Sequence, residues 1–338
     1  MNSTRTYAQS IKGALWDVLE RDESVYILGE DICDPYGGAF KITKGLSSKW
    51  PGRVINTPIS EAGIVGLSTG LAMRGLRPVV EIMFGDFMSL AYDQILSNLA
   101  KISWMYNGKV KTPVVIRTPM GGRRGYGPTH SQSIEKLFFG IPGIAVVAPS
   151  LFHDPGELLK KSIYHDAPIL FIEYKLDYPK RLVRAADGMA DFWRVRVSNH
   201  HFPLVRLSAT DFEDDQVVIL TYGGMVTPVL RACETLILEE EITLEVIIPS
   251  LVKPFELNKE IISSMEKAGK VIIIEEGTVS NGWGSELAAC IGERIFSSLK
   301  KPVKRLGALN APIGASSALE DAILPGQNNI IQEIKSLL

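Results

Sequence analysis

An α/β fold in two domains, each built on a mainly parallel sheet, is what this sequence predicts. Three observations carry that prediction. The chain has 338 residues, more than one hydrophobic core organises at about 100–200 residues per domain. Short apolar runs alternate with stretches of helical periodicity from the N-terminus onward. Between Arg181 and Asp215 that periodicity weakens, and it then resumes, as expected of a connection between domains.

Residues Tyr7 to Glu20 repeat Ile11, Ala14, Leu15, Val18 and Leu19 at helical spacing, and Ser24 to Asp31 reads as a buried strand ending in acids. Gly63 to Met73 follows as a helix of small residues, Arg77 to Met83 as a strand, Ala91 to Met105 as a long helix and Thr112 to Thr118 as a strand. Ile144 to Pro149 and Ile169 to Tyr174 add further strands. Such strands separated by helices suit a parallel sheet covered on both faces, where sites form at the carboxyl ends of the strands. Ala185-Ala186-Asp187-Gly188, Ser198-Asn199-His200-His201 and the acidic stretch Asp211 to Asp215 mark the connection. Domains are therefore expected over 1–185 and 216–338, with a linker over 186–215. In the second domain Gln216 to Tyr222, Leu244 to Ile248 and Lys270 to Glu275 read as strands and Thr227 to Leu238 as a helix. A repeat architecture is not expected, since no segment recurs at solenoid periods.

Composition excludes several classes. With 46% apolar and 22% charged residues the chain is an ordinary globular one. Lys+Arg 36 against Asp+Glu 38 gives a net charge of −2, which supplies no general attraction to nucleic acid or an anionic membrane, so neither partner is expected. Cys33, Cys233 and Cys290 are odd in number and far apart, reading as reduced thiols and not as a disulfide framework or zinc site. His153, His165, His200 and His201 show no metal-ligand spacing, so no metal site is expected from this chain. The first residues, Met1 to Tyr7, lack the apolar core of a signal peptide, and no apolar run approaches the ~18–20 residues of a membrane span. A cytoplasmic location is the expectation.

Three segments carry residues suited to chemistry, each with a plainer reading beside it. In Asn56-Thr57-Pro58-Ile59-Ser60-Glu61-Ala62-Gly63 a carboxylate stands where a turn feeds a helix. Glu61 is either a first-turn acid favoured by the helix dipole or a group facing a ligand held against the helix start. Glu81-Ile82-Met83-Phe84-Gly85-Asp86-Phe87 ends a strand, where Phe87 can stack on a heteroaromatic ring beside the adaptable Met83, or both can be core. The run Gly121 to Ser133 is too rich in glycine and polar residues to be core and leaves a strand end. Within it His130 can move protons near neutral pH or simply hydrogen-bond. Arg123 and Arg124 can bind a carboxylate or phosphate, or form a solvated basic turn.

Taken together, these segments resemble the β subunit of the thiamine-diphosphate-dependent first component of 2-oxoacid dehydrogenases (pyruvate, branched-chain and acetoin types), in the transketolase-like superfamily. The resemblance spans nearly the whole chain. It rests on Leu28-Gly29-Glu30-Asp31, Tyr36-Gly37-Gly38-Ala39-Phe40-Lys41, Thr57 to Gly63, His130-Ser131-Gln132-Ser133, Ile141-Pro142-Gly143, Leu220-Thr221-Tyr222-Gly223 and Glu275-Glu276-Gly277. It implies a thiamine-diphosphate pyrimidine-binding domain followed by a transketolase-type C-terminal domain. It implies that Glu61 hydrogen-bonds the cofactor's aminopyrimidine ring, where a carboxyl tuned by burial relays a proton. It puts Ile59, Met83 and Phe87 around that ring, His130 beside the reacting carbons, and Glu30 and Asp93 in an acid-lined path between paired sites. Leu90 stands where the family commonly has another acid of that path.

The chain has no Gly-Asp-Gly segment, which in this superfamily opens the motif holding the diphosphate and Mg²⁺, a cation suited to oxygen ligands. The resemblance therefore implies an α subunit that supplies that half of the site, in an α2β2 assembly. The expected reaction is decarboxylation of a 2-oxoacid and reductive acylation of a lipoyl group on an acyltransferase. Gly127-Pro128-Thr129-His130 resembles transketolase loops equally well, which leaves open a split, transketolase-like ligase acting on a ketose or other small molecule. A non-catalytic scaffold is the third reading, and the presence of Glu61 and His130 counts against it.

Overall fold

The computed structural model describes residues 5–183, 193–209 and 216–338. Packing divides the chain into two compact units, Met1–Met120 with Leu137–Leu182, and Gly121–Lys136 with Val183–Leu338. Of the stretch expected as a linker, 186–192 and 210–215, which hold Ala186-Asp187-Gly188 and Asp211 to Asp215, lie outside the described residues. Residues 193–209 between them form two strands, described below. Among the described residues no helix is long and apolar enough to cross a membrane.

The first unit opens with α1 (Tyr7–Arg21), started by a capping box in which Thr6 and Gln9 exchange backbone-to-side-chain bonds of 3.2 and 2.9 Å. Its buried stripe holds Ile11, Ala14, Leu15, Val18 and Leu19. The strands β1 (Val25–Gly29), β2 (Val54–Asn56), β3 (Arg77–Glu81), β4 (Val115–Met120), β5 (Ala145–Val147) and β6 (Ile169–Tyr174) lie in the order β5-β6-β4-β3-β1-β2, and all pair in parallel. Between them run α2 (Leu46–Lys49), α3 (Glu61–Met73), α4 (Ile102–Met105) and α5 (Pro155–Ile163). Gly29 ends β1 where a Cβ would come within 2.7 Å of the Glu81 carbonyl oxygen, so glycine lets the ends of β1 and β3 approach closely.

The helix expected over Ala91–Met105 is broken. A 3₁₀ stretch spans Gly85–Ala91 and a wide π-helical stretch Gln94–Leu99, before the single turn of α4. The Ala100 N–H donates to the Ile95 carbonyl, five residues back, at 3.0 Å. Ile95 and Leu99 of this wider stretch are both in the core.

Among the described residues Arg117 is the largest fully buried side chain. Register sets it opposite Glu81, and its neighbour β6 supplies Glu173. Its Nε and Nη2 donate to the two Glu173 oxygens at 2.8 and 2.7 Å, and its Nη1 donates to Glu81. Tyr178 donates its hydroxyl to Glu173 at 2.7 Å. Burial alone disfavours the guanidinium's charge, but Glu173 and Glu81 outweigh it and hold its pKa above the ordinary arginine value. Burial pushes the Glu81 carboxyl up, against the lowering by Arg117.

In the second unit β7 (Trp193–Val197), β8 (Leu204–Ala209), β9 (Val217–Thr221), β10 (Leu244–Pro249), the short β11 (Leu251–Lys253), β12 (Val271–Thr278) and β13 (Lys304–Ala308) alternate with α6 (Val226–Glu240), α7 (Lys259–Ala268), α8 (Trp283–Ile295), α9 (Ser317–Ile323) and α10 (Gln327–Lys335). The sheet order is β13-β12-β9-β10-β8-β7. β13, β12, β9 and β10 are parallel, and β8 and β7 add an antiparallel edge. Of the polar segments that read as a linker, Ser198-Asn199-His200-His201 lies in the connection between β7 and β8. In β8 Val205, Leu207 and Ala209 are buried while Arg206 and Ser208 alternate with them.

Arg117→Met leaves two carboxylates facing each other in the core. It should cost about 3–5 kcal/mol of folding stability, read from the urea midpoint. Apolar replacement of all three groups (Arg117→Met, Glu81→Leu, Glu173→Met) should recover most of that loss, because the attraction and the desolvation penalty vanish together.

Candidate active site

The first unit gathers a group of residues at the carboxyl ends of β1, β2 and β3. Glu61 is the first residue of α3 and only 6% exposed. Ser60 caps the helix, its Oγ accepting the Gly63 N–H at 3.3 Å. The turn before it is tied to β1, since the Thr57 N–H donates to the Gly29 carbonyl at 3.0 Å. Glu30 directly follows β1. The Ser60 N–H donates to Glu30, while its Oε1 is buried without a partner, as is Thr57 Oγ1. Burial raises the Glu30 pKa, and the negative charge of Glu61 raises it further. Two carboxyl groups thus stand close enough to repel each other, one of them biased toward protonation.

Met83 and Phe87 leave β3 on the next turn and are both half-buried. Phe87 meets Phe84 edge-to-face at 5.8 Å between ring centroids. Ile59 is 85% and Leu90 61% exposed. Asp93 is exposed at the start of the π-helical stretch, 3.5 Å from Gln94 Nε2. Among the residues expected to form a site, the structure brings together Glu30 and Glu61. Asp93 and Leu90 lie on exposed surface of the same unit.

The loop Gly121–Lys136 packs with the second unit, and it carries Arg123, Arg124 and His130. Its anchors are carboxylates. Glu276 Oε1 accepts both the Gly122 N–H at 2.9 Å and the Ser133 hydroxyl at 3.0 Å. Glu320, in α9, accepts the Arg123 N–H at 2.7 Å and the Gly125 N–H at 3.3 Å. A Cβ on Gly122 would lie 2.5 Å from Leu324 Cδ1, so the chain passes there only without a side chain. Glu135 accepts the Tyr222 hydroxyl at 2.7 Å, and the Lys136 ammonium donates to the Ser280 carbonyl at 2.6 Å.

The two arginines differ sharply. Arg123 adopts a positive φ of 63°, unusual for a side-chain-bearing residue. Its guanidinium pairs with Asp321 and donates to the Leu324 and Pro325 carbonyls at 3.2 and 3.1 Å, completing the end of α9. Arg124 is exposed, its guanidinium 5.5 Å from the Tyr126 ring centroid. His130 is half-buried, with Nδ1 2.9 Å from Thr129 Oγ1.

Glu276 and Glu320 escaped the sequence reading as functional residues. Glu276 had a signal: two acids closing the fully apolar run Val271 to Ile274 must meet donors where they are buried. Glu275 does so by accepting the Trp283 and Gly284 N–H groups at the start of α8, both at 2.9 Å. Burial nonetheless pushes its carboxyl up to about 7. Glu320 had no local signal, because its partners lie some two hundred residues earlier.

Comparison with known proteins identifies the family. The family model described as transketolase, pyrimidine binding domain, matches residues 3–181, and that described as transketolase, C-terminal domain, matches 208–330. The mitochondrial pyruvate dehydrogenase E1 component subunit beta of Dictyostelium discoideum is 34% identical, over 98% of this chain and 92% of its own. The pyruvate dehydrogenase E1 component subunit beta of Leifsonia xyli is 37% identical, over 96% and 92%. The 2-oxoisovalerate dehydrogenase subunit beta of Bacillus subtilis is 35% identical, over 92% and 91%. A solved split-gene transketolase, an inactive β4 tetramer, shares the fold at a TM-score of 0.70 and 20% identity, covering 98% of each chain. Both halves are matched in order and relatives of this identity run its length, and the chain accordingly belongs to the transketolase-like family, in the branch of the 2-oxoacid dehydrogenase E1 β subunits.

Proposed function

We propose that this chain is the β subunit of a heteromeric, thiamine-diphosphate-dependent 2-oxoacid dehydrogenase and supplies the pyrimidine half of its active site. The observation that carries the reading is the buried Glu61 carboxyl at the first turn of α3, whose charge acts on Glu30, together with a Glu30 oxygen and a Thr57 hydroxyl that are buried without a partner at the ends of β1 and β2. A polar heteroaromatic ring fits such a place, because its nitrogens and amino group satisfy atoms whose burial is otherwise costly. When bound, thiamine diphosphate supplies the acidic thiazolium carbon and the electron sink for decarboxylation. Glu61 holds and moves a proton at a pyrimidine nitrogen. Ile59, Met83 and Phe87 enclose the ring. Glu30, raised by burial and by Glu61, holds a proton within reach of that exchange, and Asp93 extends an acidic path. His130 acts on the reacting carbons of the substrate. Arg124 is the arginine that meets the carboxylate of the 2-oxoacid, since Arg123 is held on α9.

The diphosphate and Mg²⁺ fall to an α subunit. The reading rests on the sequence, which has no Gly-Asp-Gly segment. Ile59, Leu67 and Leu90 are 85%, 55% and 61% exposed, apolar surface that suits coverage by a partner chain in an α2β2 assembly. A lipoyl group on an acyltransferase is the proposed acceptor. Assembly with an α subunit and assay with a 2-oxoacid tests the reading. Reductive acylation of a lipoyl domain supports it, while turnover with a small aldehyde acceptor alone would turn it toward a split ligase.

Calorimetry on this chain alone should find weak thiamine diphosphate binding with no Mg²⁺ dependence, and tight Mg²⁺-dependent binding should appear only in the assembled complex. In that complex Glu61→Gln should lower kcat by about 10²–10⁴-fold. Its melting temperature should change little, because the substitution also relieves the repulsion from Glu30.

A further inference from the structure

The loop 121–133 has no regular strand or long helix, yet both of its ends are fastened to the same oxygen. Glu276 Oε1 receives the Gly122 N–H and the Ser133 hydroxyl, drawing residues eleven apart in sequence to one point. Glu320 receives the next free N–H groups, those of Arg123 and Gly125. Both carboxylates are buried, at 8% and 3% exposure, where a charge-accepting bond is strong and an unmade one costly. The donors are mostly backbone N–H groups, available whatever side chains the loop carries. Arg123 holds a positive φ, a conformation its anchored N–H and guanidinium enforce. Between the anchors lies the segment 126–132 with His130.

We propose that Glu276 and Glu320 are positioning residues: two buried carboxylates that clamp the loop 121–133 at its base and so hold the His130 imidazole in place for the reaction. The inference rests on the reading of His130 as the group acting on the reacting carbons. The carboxylates touch neither substrate nor cofactor in this account. They act through the backbone, by denying the loop the other conformations its glycines Gly121, Gly122, Gly125 and Gly127 would allow. Misplacement of a catalytic group by about 1 Å can cost 10²-fold in rate, which is the scale of effect the clamp controls.

The test uses the complex assembled with its α subunit. Glu276→Ala should lower kcat about tenfold to a hundredfold and leave the thiamine diphosphate Kd within about twofold, because the pyrimidine residues belong to the other unit. Glu276→Gln, which keeps an acceptor oxygen, should restore most of the rate. In the double variant Glu276→Ala/His130→Ala, kcat should fall no further than in His130→Ala. Amide hydrogen exchange over 122–125 should quicken in Glu276→Ala and stay unchanged in His130→Ala. Losses that simply multiply in the double variant, or unchanged exchange and kcat in Glu276→Ala, overturn the inference. If Glu276→Ala fails to assemble, Ser133→Ala, which removes one donor to the same oxygen, is read by the same rate and exchange criteria. If His130→Ala turns over normally, the reading of His130 is what fails, and the exchange measurement still reports separately whether the clamp exists.

Discussion

A guanidinium buried between two carboxylates holds the first sheet at the level where its site begins. Arg117 reaches Glu81 on one neighbouring strand and Glu173 on the other, tying β3, β4 and β6 near their carboxyl ends. Glu81 is the last residue of β3, and its backbone lies against Gly29 at the end of β1. The residues that follow these two points are Glu30 on one side and Met83 to Phe87 on the other. An ion triad of this kind adds little net stability over an apolar core, since desolvation offsets attraction. What it supplies is register: a one-residue slip of β3 would leave a carboxylate and a guanidinium buried apart.

The same economy of means recurs in the second unit, with carboxylates meeting backbone N–H groups in place of a guanidinium. Glu275 ends up on the start of α8, and Glu276, the next residue, on the loop that carries His130. Successive side chains of a strand point to opposite faces, so two adjacent acids serve two different elements. Arg123, which by type suits anion binding, completes the end of α9 instead. Arg124, one residue on, is exposed. Charge in this loop is thus divided between holding it and facing outward.

Departures from the sequence reading have local physical causes. The long helix expected over Ala91–Met105 is interrupted by a π-helical stretch, where the Ala100 N–H reaches back five residues to the Ile95 carbonyl. The stretch 193–209 reads as part of a linker because apolar periodicity weakens there and Ser198-Asn199-His200-His201 interrupts it. It is a two-stranded antiparallel edge whose buried positions are few and alternate with charge. An edge strand needs only one apolar face, and charge on the other discourages pairing with another chain.

The sequence by itself determined the alternation of strand and helix, the parallel core strands and the candidate residues Glu61, Met83, Phe87 and His130, because apolar periodicity and turn residues are local properties of a chain. The ordered motifs also sufficed to name a family. Only the tertiary structure decided what those residues touch. That Glu30 stands beside Glu61, that Arg117 is neutralised by Glu81 and Glu173, and that Glu276 and Glu320 hold the base of the His130 loop all depend on pairs separated by tens to hundreds of residues. A buried polar group must find its partner wherever the fold brings one, and no spacing along the chain records which one that is.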